Sequence, residues 1–173
     1  MLNGSLHRTA GGSGALTGEV LIDGAGGQAA RSLNLAAGGR GVLVESGLSV
    51  EAVAGLSPND ATRRLDKLID AAIAGDPDSL ATFTRAGQTL GRFMAFTGSV
   101  LQPEAYLISG PLARVSAYAE AARAALALHL GEQGLVFCVS EMTNLAAARG
   151  LAIGTYLIDK DLDIPALGEQ EAA

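Results

Sequence analysis

Between residues 57 and 101 the apolar positions recur every three or four residues, the spacing that gathers them on one face of a helix. Leu65, Leu68, Ile69, Ala72 and Ile73 predict a first helix that ends at Gly75. Its start is marked by Ser57-Pro58-Asn59-Asp60: a serine to cap the first free N–H groups, a proline where no donor is needed, and an acid near the positive end of the dipole. Asp76-Pro77 opens a second, longer helix to about Val100, with Leu80, Phe83, Leu90, Phe93, Met94 and Leu101 on its apolar side. Gly87, Gly91 and Gly98 recur along it, each costing about 1 kcal/mol against alanine in a helix interior. Close packing against another backbone would offset that cost and is the expected reason for them.

Farther on, "QPEAYLISGP" predicts a buried strand over residues 105–109 that ends in a tight Gly-Pro turn. "LARVSAYAEAARAALALHL" is an amphipathic helix, "GLVFCVS" a second buried strand, and "TNLAAARGLAIGTYLI" a last helix capped by Thr143 or Asn144. Helix, strand, helix, strand and helix in that order predict a βαβ unit with a right-handed crossover and a parallel strand pair.

The chain before residue 57 is less regular. Asn3-Gly4 is a preferred pair for a tight hairpin turn, yet only Met1 and Leu2 precede it. Either the chain begins at the end of a strand, or this is a disordered start that happens to contain Asn-Gly. "TAGGSGALTGEVLID" is a glycine-rich loop running into a short strand over 19–23, residues 24–41 are expected to be irregular, and "SVEAVAG" is a short helix with Ser49 as its cap. After Asp159 the chain turns acidic, and residues 159–173 are expected to fray.

Composition refines this picture. The length of 173 residues suits one domain, and 49% hydrophobic residues with no tryptophan imply a core of Ala, Leu, Val and Ile. A net charge of −6 supplies no field that would gather nucleic acid. The single cysteine, Cys138, excludes an internal disulfide framework and reads as a small buried hydrophobe on its strand. The start lacks the pattern of a signal peptide, and no apolar run approaches the roughly 20 residues of a membrane span. A cytoplasmic chain without membrane contact is expected.

Candidate chemistry is sparse. His7 and His129 are the only histidines, one in a loop and one at a helix end, so no nucleophile–histidine–acid arrangement can be assembled with any specificity. The glycine clusters match neither a P-loop nor a full dinucleotide fingerprint. Two acids stand out: Glu19, just after Gly18, and Glu45, closing "LAAGGRGVLVE". Presented from glycine-rich loops, such a pair can accept hydrogen bonds from sugar hydroxyls; equally, they can be two solvated surface acids.

Together these stretches resemble the ROK family of bacterial sugar kinases and sugar-responsive repressors. "LNGSLHRTAGGSGALTGEVLID" is similar to its hairpin and loop, "AAIAGDPDSLATFTRAGQTLGRFMAFTGSVLQPEAYLISGPLA" to its helix–strand–turn, and "MTNLAAARGLAIGTYL" to its closing helix. The resemblance runs to about Leu157. It implies an α/β fold: the C-terminal part of an actin-like, ribonuclease-H-like ATPase domain over residues 1–158, its sheet truncated at the N-terminal strands.

In that family "C-x-C-G-x-x-G-C-L-E" and the histidine of "G-E-x-G-H" hold a zinc ion that braces the sugar pocket. Laid on this chain without gaps, the cysteines fall on Leu35, Ala37 and Val42, the histidine on Ile22, and Gly38 and Gly41 are kept. None of these four side chains can ligate zinc. No zinc is therefore expected, and residues 24–45 form an irregular loop in place of the knuckle, held by burial of Leu35, Val42 and Leu43 or else loose. The family's Gly-Glu carries over directly to Gly18-Glu19, implying a sugar-hydroxyl acceptor, while Glu45 takes the second acid's role only with a one-residue shift. On the nucleotide side the family's Gly-Gly becomes Ser109-Gly110-Pro111, where Gly110 still permits close backbone approach but Pro111 lacks an N–H.

The kinases' general base and phosphate loops, and the repressors' helix-turn-helix, have no counterpart in these residues. The expectation is a non-catalytic sugar-sensing domain of the regulator type, a fragment of a longer protein, binding a hexose or amino sugar and making no direct DNA contact. The alternative is the C-terminal half of an ATP-dependent sugar kinase, using ATP only when a complementing N-terminal half completes it. A module that pairs with another copy of itself through its open sheet edge is the third reading.

Overall fold

A computed structural model describes residues 17–22, 30–103, 105–131 and 136–140. The Asn3-Gly4 turn, the helix expected after residue 143 and the acidic tail lie outside the described residues. Thr17–Glu19 make a single 3-10 turn, followed by strands β1 (Leu21–Ile22) and β2 (Arg31–Ser32), paired antiparallel with Leu21 opposite Ser32 and Ile22 opposite Arg31. Glu19 was expected to begin the strand; it closes the turn before it instead.

Residues 33–45 are helical where an irregular loop was expected. Helix α1 (Leu33–Ala36) runs into a corner at Ala37-Gly38, and α2 (Gly39–Glu45) leaves it. A Cβ on Gly38 would stand 2.7 Å from the Asn34 carbonyl oxygen, and one on Gly41 2.8 Å from that of Leu35, so both glycines are there for close backbone approach. Burial does the rest: Leu33, Ala37, Val42 and Leu43 are all buried, Val42 completely. Each large apolar side chain so buried stabilises the corner by about 1.5–3 kcal/mol. Leu35, expected among the buried residues, is only half-buried.

The capped helices follow their expected bounds closely. Helix α3 (Val50–Ala54) starts behind Ser49, whose Oγ accepts from the Ala52 N–H at 3.1 Å. Helix α4 (Pro58–Ile73) starts behind Ser57, which accepts from the Asp60 N–H at 3.1 Å, and Gly75 follows at φ +90°. Helix α5 (Pro77–Leu101) is capped by the Asp76 carboxylate, which accepts from the Ser79 N–H at 2.9 Å.

After strand β3 (Ala105–Ile108), Ser109-Gly110 turn the chain into a 3-10 segment, Pro111–Arg114. The expected helix from Leu112 therefore begins later, as α6 (Ser116–Leu130), because Val115 is buried in an extended conformation between the two. Helices α5 and α6 make the closest contact in the fold. A Cβ on Gly87 would collide with the Tyr118 carbonyl oxygen, and one on Gly91 with that of Ala122, which is the backbone packing anticipated for these glycines. Gly98 differs, its face being occupied by the Tyr106 hydroxyl rather than by backbone.

Strand β4 (Val136–Val139) pairs parallel with β3, Leu107 opposite Cys138 and Ile108 opposite Val139. Both strands were expected to be buried, but only Ile108 is; Leu107, Val136 and Cys138 are exposed. Side chains alternate across a sheet, and among the described residues the helices pack against one face only. The core joins α2, α4, α5, β3 and α6 through Val42, Ile69, Phe83, Ile108, Tyr118 and Ala122. Among the described residues no helix is long and apolar enough to cross a membrane.

Candidate functional site

Two cavities border the β1–β2 ribbon and α1. Glu19, Ser32 and Leu35 line a cavity of about 540 Å³, whereas Val20, Arg31 and Ala36 line one of about 710 Å³. Glu19 and Glu45, paired in the sequence reading, line different cavities.

At the smaller cavity, Asn34 Nδ2 donates to Glu19 Oε1 at 3.2 Å. Gly18 permits this approach, since a Cβ there would stand 2.7 Å from Asn34 Oδ1 and push the carboxamide away. The hydrogen bond holds the carboxylate in one orientation while leaving it lone pairs to accept further donors. Ser32 adds a hydroxyl, Arg40 a guanidinium, and Leu35 and Val50 an apolar floor. A carboxylate, a carboxamide and a guanidinium above an apolar patch can grip a compact, hydroxyl-bearing ring.

Glu45 is engaged differently. Its Oε1 lies 3.3 Å from Arg31 Nη1 and its Oε2 3.4 Å from Arg85 Nε, so the carboxylate ties α2 to β2 and to α5. Both oxygens are committed to cations, which leaves Glu45 a poorer acceptor for hydroxyls than Glu19.

The remaining expected positions are scattered. Ser109 borders a third cavity of about 580 Å³, largely apolar, with Leu90, Leu112 and Tyr118 among its walls. Gly110 adopts φ +94°, and no described residue comes within 4 Å of where a Cβ would stand. Of the positions aligned with zinc ligands, Ala37 and Val42 are core residues, while Leu35 and Ile22 line the two separate cavities. Among the described residues no group of three His, Cys, Asp or Glu side chains could hold a metal ion.

No protein-family model, curated protein or solved structure matches this chain.

Sequence reasoning missed Asn34, Arg40 and the arginines around Glu45. Nothing local marks Asn34, whose partner is 15 residues away. For Arg85 and Arg92 a signal existed: seven residues apart on a helix, they share a face.

Proposed function

We propose that this chain is a non-catalytic sugar-binding domain of the ROK type, of the kind used by sugar-responsive regulators, and that the Glu19 cavity takes a hexose or amino sugar. The observation that carries the reading is the Glu19–Asn34 hydrogen bond at 3.2 Å on the wall of that cavity. A carboxylate held by a carboxamide is preorganised to accept from adjacent sugar hydroxyls, and Leu35 and Val50 offer an apolar surface to the ring face. The proposed fold, the C-terminal part of an actin-like, ribonuclease-H-like domain, draws on the order α5, β3, α6, β4 with its parallel strand pair. The sequence carries neither a P-loop nor a full dinucleotide fingerprint, and phosphoryl transfer depends on a phosphate cradle. The reading is therefore one of binding without chemistry.

Titration calorimetry with glucose, N-acetylglucosamine and N-acetylmannosamine at millimolar concentration tests it. Binding of one of them, weakened at least roughly tenfold by Glu19→Ala with the fold intact by circular dichroism, is the expected result. Absence of binding to a broad hexose panel would overturn it.

A second reading, the C-terminal half of a sugar kinase, draws on the Ser109-Gly110 turn, where a backbone could approach a nucleotide closely. It predicts ATP-dependent sugar phosphorylation only after a complementing N-terminal half is supplied.

A further inference from the structure

The larger cavity, of about 710 Å³, has an unusual lengthwise division. One wall is a single strip of α5: Arg85, Gln88, Thr89, Arg92, Phe93 and Phe96, spaced three, four, seven, eight and eleven residues from its start. Those intervals keep all six on one helical face, polar at the N-terminal end and aromatic at the other. The rest of the lining includes Arg31 of β2 and Glu45, which meets Arg85 at the polar end, and Leu21 and Ile22 of β1.

Among the described residues, Arg31, Arg85 and Arg92 line this groove together with one carboxylate, Glu45. Glu45 sets two of the guanidiniums by bridging Arg31 and Arg85. Arg92 is the open one. Its Nε reaches the Gln88 carbonyl oxygen at 3.4 Å, and its terminal nitrogens meet no carboxylate among the described residues. A guanidinium carries five N–H donors in a planar fork suited to carboxylate and phosphate oxygens. At the other end Phe96 and Leu21 are 68% and 70% exposed, far more than side chains of their size normally are. An exposed apolar wall in the same groove as the Arg92 guanidinium fits an amphiphilic ligand better than a sugar.

We propose that this groove is a second binding site, for a small organic anion whose carboxylate or phosphate head meets Arg92 and Arg85 and whose apolar body lies along Phe93, Phe96 and Leu21. The described residues that line it are different from those that line the Glu19 cavity. In a sugar-binding domain it would admit a second, chemically distinct effector.

The test uses the full chain and five probes: phenyl phosphate, octanoate, inorganic phosphate, and the uncharged benzyl alcohol and methyl octanoate. Calorimetry is expected to show phenyl phosphate or octanoate binding at least tenfold more tightly than the uncharged pair, and whichever head group wins identifies the ligand's anion. Arg92→Ala should weaken that binding about tenfold, with Arg92→Lys restoring only part. Phe96→Ser should weaken the amphiphilic probe while leaving inorganic phosphate unchanged. Both residues are exposed, so these variants keep the core intact. Glu19→Ala should leave anion binding as it was, which separates failure of this proposal from failure of the sugar reading. Three results would overturn it: no probe bound at millimolar concentration, anion binding indifferent to Arg92, or a concentration-dependent dimer that Phe96→Ser abolishes, which would make the patch a contact between copies.

Discussion

The Tyr118 hydroxyl donates to the Ala37 carbonyl oxygen at 2.9 Å, joining α6 to the α1–α2 corner across 81 residues of sequence. Tyr118 is only 4% exposed and Ala37 only 2%. Tyr118→Phe should therefore leave a buried acceptor unpaired and cost about 1–3 kcal/mol in chemical denaturation. Burial also pushes the Tyr118 phenol up from its ordinary value of 10.0. The folded state keeps its proton where the unfolded state loses it, so this contribution is whole below pH 10 and declines as pH rises above it. The phenylalanine variant should lack that alkaline decline; an identical slope in both proteins would rule the linkage out.

Gly87 and Gly91 give the helix pair its closeness. Alanine is the better helix former by about 1 kcal/mol, so Gly91→Ala would stabilise an isolated helix. Here its methyl meets the Ala122 carbonyl oxygen and α6 must move away. A net loss of roughly 1–3 kcal/mol is expected, read as a lower urea midpoint. A stabilised variant would show that α5 and α6 do not pack this closely.

Asp76 caps α5 and is held below the ordinary carboxylate value of 3.8 by hydrogen bonds from the Ser79 side chain and backbone. A lowered value means the contribution is present above pH 3.8 and is lost as pH falls through the depressed value. Asparagine caps as well as aspartate but does not titrate here. Asp76→Asn should melt near the wild-type temperature at pH 7 and decline less steeply on the acid side. Coincident acid profiles would contradict this.

Val42 is completely buried beside Ile69 and Phe83. Its packing braces the α1–α2 corner against α4 and α5. Val42→Ala should cost on the order of 2 kcal/mol, while chelator or added zinc should leave the melting temperature unchanged. A chelator-induced fall would show that metal supports the fold after all.

Much of the helical framework was legible because its signals are local. Ser49, Ser57 and Asp76 each lie within three residues of the N–H they cap, and Gly75 terminates α4 by its own conformation. The alternation of helix and strand from residue 77 was equally readable from apolar spacing. Residues 33–45 were misread for a related reason: Gly38, Gly39 and Gly41 look locally like loop, and only burial of Val42 and Leu43 in a core supplied by α4 and α5 makes helix the better state.

The candidate site was half visible. Glu19 could be singled out from Gly18-Glu19, but its partner Asn34 and its separation from Glu45 could not. Which cavity a residue lines is set by contacts between segments distant in the chain. By itself the sequence determined where helices start and stop, the spacing of their apolar faces, and that glycines on α5 needed a close neighbour. Only the tertiary structure decided that the neighbour is α6, that Glu45 is shared by Arg31 and Arg85, and that two acids suited to one pocket line two. Those outcomes depend on groups 14 or more residues apart meeting in space, and no local pattern encodes such a meeting.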